Sequence, residues 1–447
     1  MTEVLRRTTT KNLALAKSAT LYNEAIKLIP AGSPTLSKKP EYFAMGAFPM
    51  YIQRGQGCRV WDVDGNEYLD YIGSLGPITL GYCYPRVDDA IKEQLKNGTI
   101  FSLMHPLEVE TAKAITDMVP CADMVRFVKT GAESTSAAVR IARAYTGKDL
   151  IVNWGYHGWL DTWRCEGLKD TVSANGLPGV MKSLIKSFMY GDTSSDSSLE
   201  AVLNRNKGNV ACIIMEPLLY ESTECCDFLQ WARDLADEHD AVLIYDEIVT
   251  GFRIANGGAQ EYSGVIPDIA CFAKGISNGM PLAAVAGRRE IMEATANAGI
   301  SSTYGGETLS LAASVATLSE YREKDVIDHI WDLGSKLSVG MNSIANQYGL
   351  QLSVKGWPPM SMYEFQYEDD VVNEDLMTLF LQEMAKQGIL FRRGGLIMMT
   401  YSHQEEDISF TLDKCREVFP ILADAYAGNS ISELLQAGKA QAGFRKF

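Results

Sequence analysis

Residues 210–274 read VACIIMEPLLYESTECCDFLQWARDLADEHDAVLIYDEIVTGFRIANGGAQEYSGVIPDIACFAK, and this stretch decides the fold. Three apolar runs, VACIIM, AVLIY and DIACFA, have strand length, whereas DFLQWARDLADEH carries its apolar residues at helical spacing. Strands that are apolar on both faces belong in a sheet covered by helices, and parallel neighbours must be joined by a crossover. The stretch therefore predicts βαβ units in an α/β domain with a mostly parallel central sheet flanked by helices. Working outward, RFV (126–128), DLIVNW (149–154) and AAVAGRRE (283–290) add further strands, and LSLAASVATLSEYREKD (309–325) reads as a helix leading out of the domain.

On the N-terminal side, NLALAKSATLYNEAIKLI (12–29) has helical spacing and is ended by the Pro30-Ala31-Gly32-Ser33-Pro34 cluster. MYIQRG (50–55) and CRVWDVDGNEYLDYI (58–72) read as short strands, and Asp64-Gly65 is a hairpin signal. The last hundred or so residues mix helix and strand, as in a smaller α+β domain. The expected division is 1–75 as an N-terminal helix and small sheet packing with the small domain, 76–325 as the large domain, and 326–447 as the C-terminal small domain.

The formal charge of −15 disfavours a nucleic-acid or anionic-membrane binder, because both need a concentrated positive surface. With 46% apolar and 22% charged residues, the composition is that of a globular protein. The first twenty residues lack an unbroken apolar stretch and nowhere do 18 apolar residues run together, so a cytoplasmic location is expected. Nine cysteines lie scattered without a CxxC pair and five histidines are dispersed, so buried thiols are expected rather than a disulfide framework, and no metal site is assigned.

Ligands of open α/β sheets bind at the carboxyl ends of the strands. Three strand ends carry chemistry here. AVLIY closes in Asp246-Glu247, DIACFA closes in Lys274 before Gly275, and RFV runs through Lys129 into Thr130-Gly131-Ala132-Glu133 ahead of a helical stretch. The last is either an anion site, since a small-residue helix start exposes unpaired N–H groups and the positive dipole end, or an ordinary cap formed by Thr130 and Glu133. Lys274 is either a strand-end lysine snorkelling to water or a partly desolvated, nucleophilic amine. Taken together, an amine able to form a Schiff base, a carboxylate to face a pyridinium and a phosphate cradle make up the protein's share of a pyridoxal phosphate site.

Longer motifs strengthen this. DEIVTGFR (246–253), FAKGISNGMPLAAVAGRREIM (272–292), GYHG (155–158), TYGGETLSLAAS (303–314), WDVDGNEYLDYIGSLGPITLGYCYP (61–85), TGAESTSAAVRIARAYTGK (130–148) and NGLPGV (175–180) are seven further motifs along the chain. The chain resembles the class III, fold type I pyridoxal-phosphate aminotransferases, most of all glutamate-1-semialdehyde 2,1-aminomutase and its aminotransferase relatives, from about residue 20 to 420. The resemblance implies an aminotransferase that moves an amino group from a donor to an aldehyde or ketone by a ping-pong route, working as a homodimer. It implies that Lys274 holds the coenzyme as an internal aldimine and shuttles a proton, and that Asp246 keeps the ring nitrogen protonated. Thr130, Gly131 and Ala132 would cradle the phosphate, Thr303 would reach it from the other subunit, Tyr156 and Ile248 would cover the ring faces, and Glu216 would lie near the phenolic oxygen. Arg253 is expected to be structural, and His157 to stand behind the site.

Some positions depart from the pattern. Leu36 stands where the aminomutase has its substrate-carboxylate arginine, and leucine cannot replace that bidentate clamp. Leu75, in Ser74-Leu75-Gly76-Pro77, stands where it has tryptophan, and Met398 falls where many members carry a second arginine. Arg392 or Arg393 would take over that task, or both face solvent. The substrates expected from this are an amino sugar, an aminoalcohol-derived aldehyde or a ketone. The competing readings are an intramolecular aminomutase or epimerase and a non-catalytic binding protein that keeps the fold.

Overall fold

The computed structural model describes residues 13–163, 176–220 and 222–436. Asn175 of the NGLPGV motif, Cys165 and both ends of the chain lie outside the described residues. The strands, in chain order, are β1 (Ile52–Gln56), β2 (Arg59–Asp62), β3 (Glu67–Asp70), β4 (Met124–Val128), β5 (Leu150–Trp154), β6 (Ile185–Ser187) and β7 (Val210–Met215). They continue as β8 (Val242–Asp246), β9 (Ile269–Phe272), β10 (Ala283–Gly287), β11 (Leu352–Lys355), β12 (Met360–Phe365), β13 (Ile389–Leu390) and β14 (Leu396–Met398). By contact the chain forms two units, one comprising Gly76–Thr79 and Pro85–Ile327, the other the chain to Leu75, Leu80–Tyr84 and Asp328 onward.

The first, larger unit is built on a seven-stranded sheet in the order β4-β10-β9-β8-β7-β5-β6. β10 runs antiparallel to both its neighbours, and the other neighbouring strands pair in parallel. Every residue of β7, β8, β9 and β10 is buried, as continuous apolar runs require. The Gly131–Thr146 helix packs on this sheet with small residues: Ala137, Ala138 and Ala142 sit with Ile141, Ile214, Ile244 and Val285 in one core. It stops at Gly147, which takes the left-handed conformation (φ 68°) of a helix C-terminus.

The smaller unit holds a four-stranded sheet, β1-β2-β3-β13, and a three-stranded one, β11-β12-β14. The Asp64-Gly65 turn joins β2 to β3 as a hairpin, and β1 precedes them in the same antiparallel meander. The N-terminal helix spans Ala16–Leu28 and is closed by the Pro30–Gly32 turn. Three long helices, Val326–Gln347, Asp370–Lys386 and Glu405–Ala427, supply much of its remaining secondary structure. Among the described cysteines Cys83 and Cys226 are exposed and the others buried.

Candidate active site

β8 and β9 pair in parallel with Asp246 opposite Cys271, so the carboxylate and the Phe272-Ala273-Lys274 exit leave the same edge of the sheet. β4 leaves it there too, because Val128 is paired through Ala283 of β10. At this edge Val128, Ala273 and Ala283 form a small buried cluster with Ile248 packed against it. One apolar contact group thus ties together the exits that lead to Thr130, to Lys274 and away from Asp246.

Asp246 and Glu247 point to opposite sides, as successive strand-end residues do. Glu247 is fully buried and accepts hydrogen bonds from Thr250 Oγ1 and from the N–H groups of Ala259 (2.9 Å) and Gln260 (3.1 Å). Burial pushes its carboxyl up and these donors oppose the shift, which makes it an internal brace for the loop. Asp246 is 3% exposed; Oδ1 accepts from the Ile248 N–H at 3.2 Å, and Oδ2 lies 2.7 Å from His157 Nδ1. His157 is therefore a direct partner of Asp246, a role that sequence reasoning did not assign. The signal available was its place in GYHG, but pairing it with a residue 89 positions away needs the sheet order.

At the start of the Gly131–Thr146 helix the structure shows the cap, and the cap leaves two backbone donors without an acceptor among the described residues. Thr130 Oγ1 accepts from Glu133 N–H (3.3 Å) and Glu133 Oε2 accepts from Thr130 N–H (2.8 Å), a reciprocal capping box. The Gly131 and Ala132 N–H groups have no acceptor among the described residues and lie at the positive end of the helix. Little room remains at this turn for a side chain. A Cβ on Gly131 would come within 2.7 Å of Ile248 Cδ1, and one on Gly158, whose φ is +114°, within 2.4 Å of Ala132 Cβ. Lys129 reaches Glu307 at 3.0 Å; burial pushes that carboxyl up, but Ser310, Lys129 and the Leu309 amide outweigh it and hold it low.

Lys274 is partly exposed and opens a one-turn 3-10 segment, Lys274–Ser277, with φ at 45°, a left-handed conformation uncommon outside glycine. The segment is held by the Thr308–Glu323 helix: Tyr321 Oη donates to Gly275 O (2.8 Å) and Ser314 Oγ to Ile276 O (2.9 Å). Arg253, buried, donates to Gly76 O and Thr79 Oγ1, each at 3.0 Å, and burial brings its guanidinium down to about 10. Glu216 ends β7's run and is 7% exposed; it accepts from Tyr156 N–H (3.1 Å) and Tyr220 Oη (2.8 Å). Thr303 is exposed on the loop before the Thr308–Glu323 helix. Chemically, this edge offers an amine, a buried anion and two free N–H donors.

In the smaller unit the departures take physical form. Leu36 is exposed, while Leu75 lines a cavity of about 360 Å³ with Lys38, Phe43, Tyr51, Asp70 and Tyr82. Met398 is buried in β14. The expectation that Arg393 faces solvent is corrected: it is buried, pairs with Glu374, and donates to Thr378 Oγ1 at 2.9 Å. Arg392 is partly exposed.

The Aminotransferase class-III family model matches residues 42–419. A 3-aminobutyryl-CoA aminotransferase from Cloacimonas acidaminovorans (strain Evry) is 33% identical, covering 91% of this chain and 97% of its own. A glutamate-1-semialdehyde 2,1-aminomutase from Acetivibrio thermocellus is 35% identical over 90% and 97%. The solved PLP internal aldimine form of the Sphingopyxis sp. MTA144 FumI protein superposes with a TM-score of 0.86 at 25% identity, over 94% of this chain and 100% of that one. With the fold, the strand-edge chemistry and these matches along nearly its whole length, the chain belongs to the class-III aminotransferases, enzymes that use pyridoxal phosphate to move an amino group onto a carbonyl carbon.

Proposed function

We propose that Lys274, Asp246 and the Thr130–Ala132 turn form the coenzyme site of this aminotransferase, and that it acts through a ping-pong exchange between an amino donor and an aldehyde or ketone. The observation that carries this reading is the Val128–Ala273–Ala283 cluster with Ile248, which brings the three strand exits to one place. The residues fit the coenzyme: the free Gly131 and Ala132 N–H groups suit a phosphate, and Asp246, buried and held by His157, suits a cationic ring nitrogen. Ile248 and Tyr156 would cover the ring faces, and Glu216, already placed by Tyr156 N–H, would face the phenolic oxygen. When bound, pyridoxal phosphate supplies an aldehyde for amines and a conjugated ring that takes up an electron pair. Lys274 would hold and move the proton at the substrate's α-carbon, while Asp246 keeps its anionic charge against the ring nitrogen.

A homodimer with sites completed across the subunit boundary is part of the proposal. In its favour, Ile100, Phe101, Leu103, Met104 and Val109 all expose large apolar side chains within ten residues, and Thr303 is exposed, as a residue serving the partner's phosphate would be. A cytoplasmic location is proposed as well; no helix among the described residues is long and apolar enough to cross a membrane.

The acceptor is proposed to be one whose recognition does without an arginine at position 36, such as an amino-sugar precursor, an aminoalcohol-derived aldehyde or a ketone; the 3-aminobutyryl-CoA relative supports a carbonyl away from a free α-carboxylate. The 35% identical aminomutase supports intramolecular transfer as the second reading. Incubating the enzyme with one purified candidate and no donor separates the two, because only an isomerase turns over repeatedly. The test of the site itself is Lys274→Ala: the visible coenzyme band and turnover are both expected to vanish, and a variant that keeps full turnover refutes the assignment.

A further inference from the structure

Behind Asp246, two buried polar atoms have no hydrogen-bond partner among the described residues: His157 Nε2 and Trp163 Nε1. Their residues are 3% and 5% exposed, and the rings are in contact, with centroids 5.0 Å apart and planes at 57°. The chemistry of each atom follows from its surroundings. An ionised carboxylate only accepts, so the 2.7 Å contact to Asp246 Oδ2 places the imidazole proton on Nδ1 and leaves a lone pair on Nε2. An indole N–H only donates. The two unsatisfied atoms are thus chemically complementary, one acceptor and one donor on rings that touch. An imidazolium, by contrast, would set a second N–H against the indole N–H, with no acceptor for either.

We infer that Trp163 is a positioning residue whose indole N–H holds the Nε2 lone pair of His157, directly or through one water, and so keeps the His157–Asp246 pair at a net charge of −1. This rests on the reading of Asp246 as the ring-nitrogen partner, and gives that reading a means of staying anionic. The groups around the pair agree with it. Cys271, across from Asp246 on β9, has its thiol pushed well up by burial and by the Asp246 charge, so it adds no charge of its own. Thr135 Oγ1 donates to the His157 carbonyl at 2.6 Å from the Gly131–Thr146 helix, and Glu216 is turned to the Tyr156 N–H and the Tyr220 hydroxyl. Among the described residues, Asp246 is the charged group that contacts the imidazole, and the indole ring packs against it as well.

The test uses full-length protein with ¹⁵N-labelled histidine, with and without coenzyme, His157 being assigned through His157→Gln. The expected wild-type result is a His157 with a protonated Nδ1 and a bare Nε2. In Trp163→Phe, which keeps an aromatic ring and removes the donor, the proton affinity of His157 should rise on the order of tenfold, and the pH midpoint of the holoenzyme's visible band should move upward with it. A protonated Nε2 in the wild-type chain overturns the proposal, as does an unchanged His157 titration in Trp163→Phe. If Trp163→Phe fails to fold, the wild-type tautomer decides alone. A protein whose apo form shows the expected tautomer but which never develops a coenzyme band would refute the coenzyme-site reading instead.

Discussion

At the scale of single residues, the site depends on what two glycines omit as much as on what its polar groups supply. Gly158 lies so close to Ala132 that any side chain would push the helix start away from its position. Gly158→Ala is therefore expected to bind pyridoxal phosphate at least about tenfold more weakly while remaining folded, read by coenzyme titration, because both the left-handed φ and the clash act at that turn. That Lys274, Asp246 and the Thr130–Ala132 turn lie at strand ends is legible in the sequence because each follows an apolar run, and the structure puts those ends at one edge of the sheet. The Asp246–His157 pair was not, because nothing local to GYHG says which strand end it will face. Likewise Asp246 and Glu247 look interchangeable as a dipeptide; only the strand's alternation sends one to the site edge and the other into the Ala259–Gln260 brace.

At the scale of elements, the capping box at Thr130 and Glu133 sets where the Gly131–Thr146 helix begins, and so which N–H groups remain free. Replacing the cap hydroxyl in Thr130→Ala should cost about 1 kcal/mol of stability, measured as a lowered urea midpoint, and should weaken coenzyme binding as the first turn frays. The strands of the large sheet were readable from unbroken apolar runs, and the helices between them from their spacing. Other parts were not. β13 is two residues long and pairs with β3, more than three hundred positions earlier in the chain, so no window of sequence could announce it. β10 looks like its neighbours in composition, yet it runs the other way between β4 and β9, since apolar content alone carries no direction.

At the scale of the whole molecule, acidity and association are the two levers. Burial pushes His403 down to about 4 from an ordinary value of about 6.5, so the folded chain keeps it neutral where the unfolded chain takes a proton. That contribution to stability is fully present above about pH 6.5 and drains away as the pH falls toward 4, amounting to about 2 kcal/mol by pH 5. Urea midpoints measured between pH 7 and pH 5 should fall accordingly, and His403→Asn, which keeps an acceptor for the Thr400 N–H, should flatten the slope. For association, Met104→Asp in the exposed apolar stretch is expected to halve the mass seen by sedimentation, from twice the 49.2 kDa chain to one, and to lower coenzyme affinity with it. The turn that begins at Lys274 has a consequence on a longer timescale. A lysine at φ 45° sits where glycine would be at ease, so folding alone gives no reason to retain it. In a lineage released from its reaction, this is the side chain inheritance should drop first, and its persistence across descendants would mark continued use.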